Sequence, residues 1–225
     1  MNSFIVFGLQ RSGTTFLEEL VKLNIKHSSI LNHQNSWIWK HAYDVDLDGI
    51  LVHEKLKETK ANCLYIIKHP FTWIQSVCKK KADTLDKYPN IKARASDSQV
   101  HVYKNFNLLR MAQLYNKHAR YWRCIINSVE YTVLFIKYED LINTDEDTIE
   151  MIRDIAEFFN TEINERIKIP RLVNQSKKFT EKRRMIYKNV LLDKRIFNPI
   201  RLHAITQMLD KSLIKDLRYN INIKL

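Results

Sequence analysis

Glycine, proline and cysteine are scarce in this sequence of 225 residues, which contains three glycines, four prolines and three cysteines. The cysteines, Cys63, Cys78 and Cys124, are far apart and form no C-x-x-C pair, which argues against a disulfide framework and a zinc site. No apolar run approaches the roughly 18 residues of a membrane-spanning helix. The first residues also lack the basic segment and cleavage site of a secretory signal. From these absences we expect an intracellular protein of the cytoplasm.

The composition is that of a folded, basic protein. Apolar residues make up 45 % of the chain, enough for one α/β domain with a substantial core over residues 1–225. Lys and Arg number 37 against 25 for Asp and Glu, a formal net charge of +12. Such a charge raises the possibility of nucleic-acid binding. However, the basic residues are scattered without a DNA- or RNA-binding motif, and a positive field attracts a polyanionic nucleotide or an acidic acceptor equally well.

Two of the three glycines, Gly8 and Gly13, lie in one segment, residues 8–15, which reads Gly-Leu-Gln-Arg-Ser-Gly-Thr-Thr. The segment follows an apolar run at residues 4–7 that predicts a buried strand, and it precedes an amphipathic pattern that predicts a helix. A strand, a glycine-bearing loop and a helix N-terminus together direct backbone N–H groups at an anion. The segment therefore predicts a phosphate-binding loop, and the alternative is a tight connection that binds nothing.

The spacing of this segment matches a Walker A loop, G-x-x-x-x-G-K-[ST], at every position but one. Thr15 stands where that loop has its magnesium-binding hydroxyl, but Thr14 replaces the lysine, and a cation appears earlier as Arg11. Because a loop that grips β- and γ-phosphates relies on the lysine, its loss argues against hydrolysis of ATP or GTP. The loss of the lysine does not argue against phosphate binding itself.

A second strand-to-helix transition carries a basic residue where the strand ends. Residues 64–67 predict a buried strand, and Pro70 suits the first turn of a helix. Lys68 stands where a P-loop nucleoside triphosphatase often has an aspartate for Mg²⁺. The exchange favours direct contact between a cation and an anion over bridging by a metal.

Together these segments resemble the sulfotransferases that use 3′-phosphoadenosine 5′-phosphosulfate (PAPS), whose first loop commonly reads R-S-G-T-T. The resemblance implies that the 5′-phosphosulfate end of PAPS is held by the residues that form this string here, Arg11, Ser12, Gly13, Thr14 and Thr15. Lys68 and Ser76 keep the spacing of the basic residue and serine that bind the 3′-phosphate in that family. Lysine in place of the usual arginine keeps the charge but loses the bidentate fork.

Residues 132–136 predict another strand, which leads into Tyr-Glu-Asp-Leu at 138–141, a string that is also similar to these sulfotransferases. Of a catalytic and a structural role for its carboxylates, we favour the structural one. The Arg-Lys-Gly segment that closes over the 3′-phosphate in cytosolic members is absent. The basic run at 177–184 is either its substitute or a solvated face.

The remaining pattern predicts helices and one long loop. Thr144 and Asp147 predict the N-terminus of a helix. Residues 79–100 predict an irregular surface segment, residues 101–126 a long helix, and residues 200–217 one terminal helix.

The resemblance implies transfer of a sulfuryl group from PAPS to a hydroxyl or amine without a metal, leaving adenosine 3′,5′-bisphosphate, with Arg11 neutralising the leaving oxygen. The family places its general base, a His or Glu, after the second strand, which residues 27–31 predict here. The sequence offers His33 and the pair Lys40-His41 after that strand. We favour His41, because a neighbouring lysine lowers the pKa of an imidazole towards the free-base form. The acceptor stays open among a sugar, a tyrosine, a lipid and a small molecule.

The fold class predicted is α/β. We expect a single three-layer domain over residues 1–225, with a mainly parallel sheet flanked by helices and a P-loop-like first βα unit. Two alternatives come from other functional classes: a P-loop kinase of nucleotides or small molecules, and a basic nucleic-acid-binding module.

Overall fold

A sheet of parallel strands forms the centre of the computed structural model, which describes residues 2–32, 54, 56–87, 108–127, 132–170 and 181–223. Its strands are β1 (Asn2–Phe7), β2 (Ser28–Ile30), β3 (Asn62–Ile67) and β4 (Val133–Lys137), in the order β2-β1-β3-β4. Strand β1 pairs with β2 on one side and with β3 on the other, and β3 pairs with β4. The predicted parallel sheet is confirmed.

Helices lie on both faces of this sheet. They are α1 (Thr14–Asn24), α2 (Pro70–Lys87), α3 (Leu108–Ile126), α4 (Tyr138–Ile142), α5 (Asp145–Phe158), α6 (Glu181–Lys188), α7 (Pro199–Met208) and α8 (Lys211–Asp216). No helix in the described part of the chain combines the length and the apolar character that a membrane span requires. The three cysteines are free thiols.

Alternation along the strands divides the core into two layers. Phe4 and Val6 of β1 pack on one face with buried residues of α1, α4 and α5. Ile5 and Phe7 pack on the other face with residues of α2, α3, α7 and α8. Because a parallel sheet covered on both faces buries both sets of side chains, its strands read as continuous apolar runs. The three-layer α/β arrangement predicted from those runs is confirmed.

The strand order places a reversal of direction between β1 and β3. From β1 the chain moves outward to β2, then crosses back over β1 to β3 and continues to β4. Ligands of open α/β sheets bind outside the carboxyl ends of the strands at such a reversal. The segments that leave β1 and β3 there are residues 8–13 and 68–69, within the two stretches that the sequence pattern singled out.

The prediction of an irregular segment from residue 79 is wrong as far as Lys87, because α2 continues to that residue. Residues 79–87 contain no glycine or proline, and lysine, alanine and leucine all favour helix. The helix ends two residues before Pro89, which restrains the residue before it to extended backbone. The rest of that predicted segment, residues 88–100, lies outside the described residues, as does the start of the helix predicted over 101–126.

The prediction of a single terminal helix over residues 200–217 is also wrong. Helix α7 ends at Met208, and Asp210 begins α8 by accepting a hydrogen bond from the N–H of Leu213 at 3.1 Å. Asn116 of α3 holds the break by accepting from the N–H of Asp210 at 3.0 Å. The cap predicted at Thr144 is confirmed, since its hydroxyl accepts from the N–H of Asp147 at 3.0 Å.

Candidate functional site

Two glycines shape the loop between β1 and α1. Gly13 has a φ of 103°, in the left-handed region, and a Cβ there would overlap the ring of Tyr138. A Cβ on Gly8 would overlap the carbonyl oxygen of Ile66 and lie 2.7 Å from the hydroxyl of Ser12. The loop therefore lies against β3 and α4 too closely for a side chain at either position. That packing explains why a chain with few glycines places two of them here.

Hydrogen bonds within and below the loop fix its shape. The N–H and the hydroxyl of Ser12 both donate to the carbonyl oxygen of Leu9, at 3.0 and 2.5 Å. The indole N–H of Trp73, from α2, donates to the carbonyl oxygen of Gln10 at 2.8 Å. Ser12 is buried, so its hydroxyl serves the loop. The loop is consequently held in one conformation by its own atoms and by α2.

Arg11 and the N-terminus of α1 give the loop a positive character. Arg11 is exposed and adopts a φ of 74°, a strained conformation for a residue with a side chain. Gly13 stands at the N-cap of α1 and has no side chain with which to bond the first N–H groups. The first turn of α1, all of which is described, contains no acidic residue. The positive end of the helix dipole is thus unopposed by a carboxylate in that turn.

Lys68 and Ser76, eight residues apart in the sequence, are in contact. Lys68 directly follows β3 and is 2 % exposed, and its Nζ donates to Ser76 Oγ at 3.0 Å. Ser76 Oγ donates in turn to the carbonyl oxygen of Thr72 at 2.8 Å, which directs its lone pairs at the ammonium group. Burial lowers the pKa of Lys68, and the guanidinium of Arg11 lowers it further. A buried cation with a hydroxyl beside it is an arrangement suited to a phosphate.

Two aromatic rings complete the surroundings of this ammonium group. Lys68 Nζ lies 4.5 Å from the ring centre of Tyr138 and 3.9 Å from that of Tyr187, within the range of cation–π attraction. The two rings meet edge to face at 5.2 Å. Tyr187 belongs to α6, so this helix lies over the Lys68 site. Tyr187 and Glu139 both oppose the fall in the pKa of Lys68.

Glu139 is partly buried beside the turn that connects β3 to α2. Its Oε1 accepts from the N–H of His69 at 3.0 Å and from the hydroxyl of Thr72 at 3.3 Å. Its Oε2 accepts from the hydroxyl of Tyr219 at 3.0 Å. Burial raises the pKa of Glu139, while the bond from His69 and the charge of Lys68 act in the opposite direction. The structural role expected for this carboxylate is supported by these three donors.

His69 is a further residue of the site that sequence reasoning did not single out. Its Nδ1 accepts from the N–H of Phe71 at 3.3 Å, so the proton is assigned to Nε2, which donates to the carbonyl oxygen of Asn220 at 2.9 Å. Burial lowers the pKa of His69 to about 4. The position of His69 between Lys68 and Pro70 was the available signal, whereas nothing local pointed to Tyr219 or Asn220.

The described part of the basic run at 177–184 belongs to α6. Arg184 forms an ion pair with Asp145 at the start of α5. The segment after α6 is fixed to α2 by Gln75, which donates to the carbonyl oxygen of Leu191 at 3.2 Å and accepts from the N–H of Asp193 at 2.5 Å. Helix α6 is therefore attached to α5 through Arg184 and to α2 through the segment that follows the helix.

The residues predicted to act in catalysis after the second strand, His33, Lys40 and His41, lie outside the described residues. Asn32, which precedes them, is described and buried. Its amide donates to the carbonyl oxygen of Val6 at 2.8 Å and accepts from the N–H of Val6 at 3.0 Å. These two hydrogen bonds from one side chain to the β1 backbone fix the chain next to the glycine loop.

The sheet order and the loop after β1 define a three-layer α/β fold with a P-loop-like first unit. Among solved structures, the chain is similar to mouse sulfotransferase SULT7A1 complexed with PAP, with a TM-score of 0.52 and 15 % sequence identity, over 97 % of this chain and 85 % of that one. No family model and no curated protein matches the sequence. At this identity the likeness shows that the two chains share a fold.

Proposed function

We propose that this protein is a sulfotransferase that moves a sulfuryl group from PAPS to a hydroxyl or amine acceptor, without a metal, and releases adenosine 3′,5′-bisphosphate (PAP). The contact of Lys68 with Ser76 carries this proposal. It lies at the carboxyl edge of the sheet, next to the glycine loop, in a fold shared with a sulfotransferase that was crystallised with PAP.

PAPS carries phosphate groups at two ends, and the chain offers two cationic elements. The loop at 8–15 and the N-terminus of α1 suit the 5′-phosphosulfate, because the positive end of the α1 dipole lies there and the first turn of the helix contains no acidic residue. Lys68 and Ser76 suit the 3′-phosphate. Each charge-assisted hydrogen bond is worth about 1.5–3 kcal/mol, so several of them suffice to hold a nucleotide bisphosphate.

The donor supplies a sulfuryl group bound to a good leaving group, and the chain supplies positioning and charge. We assign Arg11, on the exposed side of the loop, to the negative charge that develops on the bridging oxygen. We assign His41 to the acceptor proton, with Lys40 beside it, and keep His33 as the alternative base. A sulfuryl group carries less charge than a γ-phosphoryl group, so fixed donors and one or two cations suffice for it.

Calorimetry with PAP and with ATP–Mg²⁺ tests the proposal directly. We expect PAP to bind and to raise the melting temperature without added metal, because the proposed ligands are cations and backbone N–H groups. Binding of ATP that depends on Mg²⁺, with no response to PAP, would contradict the proposal and favour the P-loop kinase instead.

A further inference from the structure

We propose that Glu139 is a positioning residue for the Lys68 site: it fixes the turn after β3, and Tyr219 of the C-terminal segment fixes Glu139 in place. The C-terminal segment here means residues 217–223. The inference rests on the proposed function, since it concerns the element assigned to the 3′-phosphate.

Glu139 connects three parts of the chain that are distant in sequence. The N–H of His69 and the hydroxyl of Thr72 reach it from the turn and from α2, and the hydroxyl of Tyr219 reaches it from the C-terminal segment. These donors are 67 to 80 residues away from Glu139 in the sequence. A single carboxylate thus fixes the start of α2 and the C-terminal segment relative to α4.

The turn after Lys68 has two further supports. The hydroxyl of Tyr115, from α3, donates to the carbonyl oxygen of Lys68 at 2.9 Å. The ring of His69 donates to the carbonyl oxygen of Asn220 at 2.9 Å, so the C-terminal segment reaches the turn directly as well as through Glu139. Both polar atoms of the peptide group between Lys68 and His69 are therefore hydrogen-bonded, the carbonyl oxygen to Tyr115 and the N–H to Glu139. These bonds fix the direction in which the Lys68 side chain leaves the backbone.

Packing alone does not explain a carboxylate in this position. Even partial removal of an ionised carboxyl group from water is unfavourable, and an apolar residue of similar volume would fill the space without that cost. What the carboxylate adds is directional acceptance of three hydrogen bonds and a negative charge beside Lys68. Both contributions act on the place and the charge of the ammonium group.

The charge of Glu139 acts together with the other groups around Lys68. Among the described residues, the charged and titratable groups that face Lys68 are Arg11 from the loop, Tyr138 and Glu139 from α4, and Tyr187 from α6. Arg11 favours the neutral amine, whereas Glu139 favours the ammonium form. Removing the charge of Glu139 therefore makes Lys68 lose its proton at a lower pH.

The test compares Glu139→Gln and Tyr219→Phe with Asp140→Asn as a matched control. Asp140 follows Glu139 on the same helix and loses the same charge on substitution, but its side chain is 58 % exposed and pairs with Lys137 at 3.4 Å. Calorimetry measures the dissociation constants of PAP and of 5′-AMP for the full chain from about pH 6 to about pH 10, a range that brackets the titration of a shifted lysine.

We expect Glu139→Gln to weaken PAP about tenfold near pH 7, since it loses a charge-assisted contact that orients the turn. The affinity for 5′-AMP changes less than about twofold, because that nucleotide has no 3′-phosphate. PAP affinity should fall at alkaline pH, where Lys68 loses its proton, and in Glu139→Gln we expect this fall to occur at a lower pH than in the parent. Tyr219→Phe, which keeps the carboxylate, weakens PAP about threefold without moving the alkaline fall, and Asp140→Asn behaves as the parent.

Each outcome decides a different question. If Glu139→Gln binds PAP as Asp140→Asn does, or loses PAP and 5′-AMP equally, the positioning role is wrong although the sulfotransferase proposal stands. If the parent chain does not bind PAP, the sulfotransferase proposal fails and this inference fails with it. If circular dichroism shows that Glu139→Gln does not fold, Tyr219→Phe decides, because it removes one oxygen atom from the same contact. Undiminished PAP binding by that variant would overturn the inference.

Discussion

Lys68 is an ammonium group that the fold keeps away from water. A hydroxyl and two aromatic rings replace part of its hydration, and burial still lowers its pKa. A phosphate beside it would favour the charged form, because an opposite charge within about 4–6 Å does so. Anion binding and protonation of this one residue are therefore linked.

At the same scale, Lys68→Ala and Ser76→Ala should weaken PAP much more than 5′-AMP, since only PAP has a 3′-phosphate. A lost charge-assisted hydrogen bond costs about 1.5–3 kcal/mol, or about 10- to 150-fold in affinity, which calorimetry resolves. Arg11→Ala provides the contrast, because we expect it to slow the transfer step instead. Equal losses for the two nucleotides in the Lys68 and Ser76 variants would rule out the assignment of the 3′-phosphate.

The identity of the general base is also tested at the level of a single residue. We expect His41→Ala to abolish sulfate transfer and to leave PAP affinity within about 1 kcal/mol of the parent, because a general base contributes to the transition state more than to donor binding. Transfer is measured with an acceptor, or through slow hydrolysis of PAPS. Full activity in His41→Ala together with loss in His33→Ala would move the role to His33.

Helix α6 is the element that covers the Lys68 site. It is attached by the ion pair of Arg184 with Asp145, by the contact of Tyr187 with the ring of Tyr138, and by Gln75 through the segment that follows it. Of these attachments, only that through Tyr187 also touches Lys68. The helix and the cation should therefore stabilise each other through that ring.

A double-mutant cycle measures this coupling at the scale of the element. Tyr187→Leu should lower the free energy of unfolding by about 1–2 kcal/mol, because the cation–π contact of a desolvated ammonium is lost. The same substitution in a Lys68→Met background should have a clearly smaller effect, with an interaction energy of about 1 kcal/mol in urea unfolding. Additive effects of the two substitutions would mean that the ring only packs and does not stabilise the charge.

For the whole molecule, the sequence predicts those features that have a local signal. Strands β1 and β3 are continuous apolar runs, and the loop between β1 and α1 is marked by Gly8 and Gly13 in a chain with few glycines. Lys68 and Ser76 are recognisable because a strand end and the following helix keep them at a fixed spacing. The local order of residues is sufficient in each of these cases.

The features that sequence reasoning missed depend on contacts between distant segments. Tyr219 meets Glu139 across 80 residues, and Asn220 meets His69 across 151 residues. No periodicity relates such positions, since their proximity follows from the order of strands and the path of the C-terminal segment. The break between α7 and α8 is similar, because Asn116 of α3 helps to hold Asp210 at the point where α8 begins.

The buried ring of His69 should make the stability of the whole molecule depend on pH. Its pKa is about 4 in the fold, below the ordinary value of about 6.5 that we expect in the unfolded chain. Because the folded pKa is the lower one, the unfolded chain binds more protons between these values, and stability falls as the pH falls from about 6.5 to about 4. This contribution amounts to a loss of about 2 kcal/mol at pH 5 and about 3 kcal/mol at pH 4.

His69→Gln isolates this contribution, since glutamine retains a donor for the carbonyl oxygen of Asn220 but does not titrate. Glu139 acts in the opposite direction, because its raised pKa lets the folded chain take up a proton first as the pH falls. Because Glu139 is present in both parent and variant, its contribution cancels in the difference between their free energies of unfolding. In urea unfolding from about pH 7 to about pH 4.5, we expect the stability of the parent relative to the variant to fall by about 2–3 kcal/mol. Parallel pH profiles would mean that His69 accepts a proton in the fold as readily as in the unfolded chain.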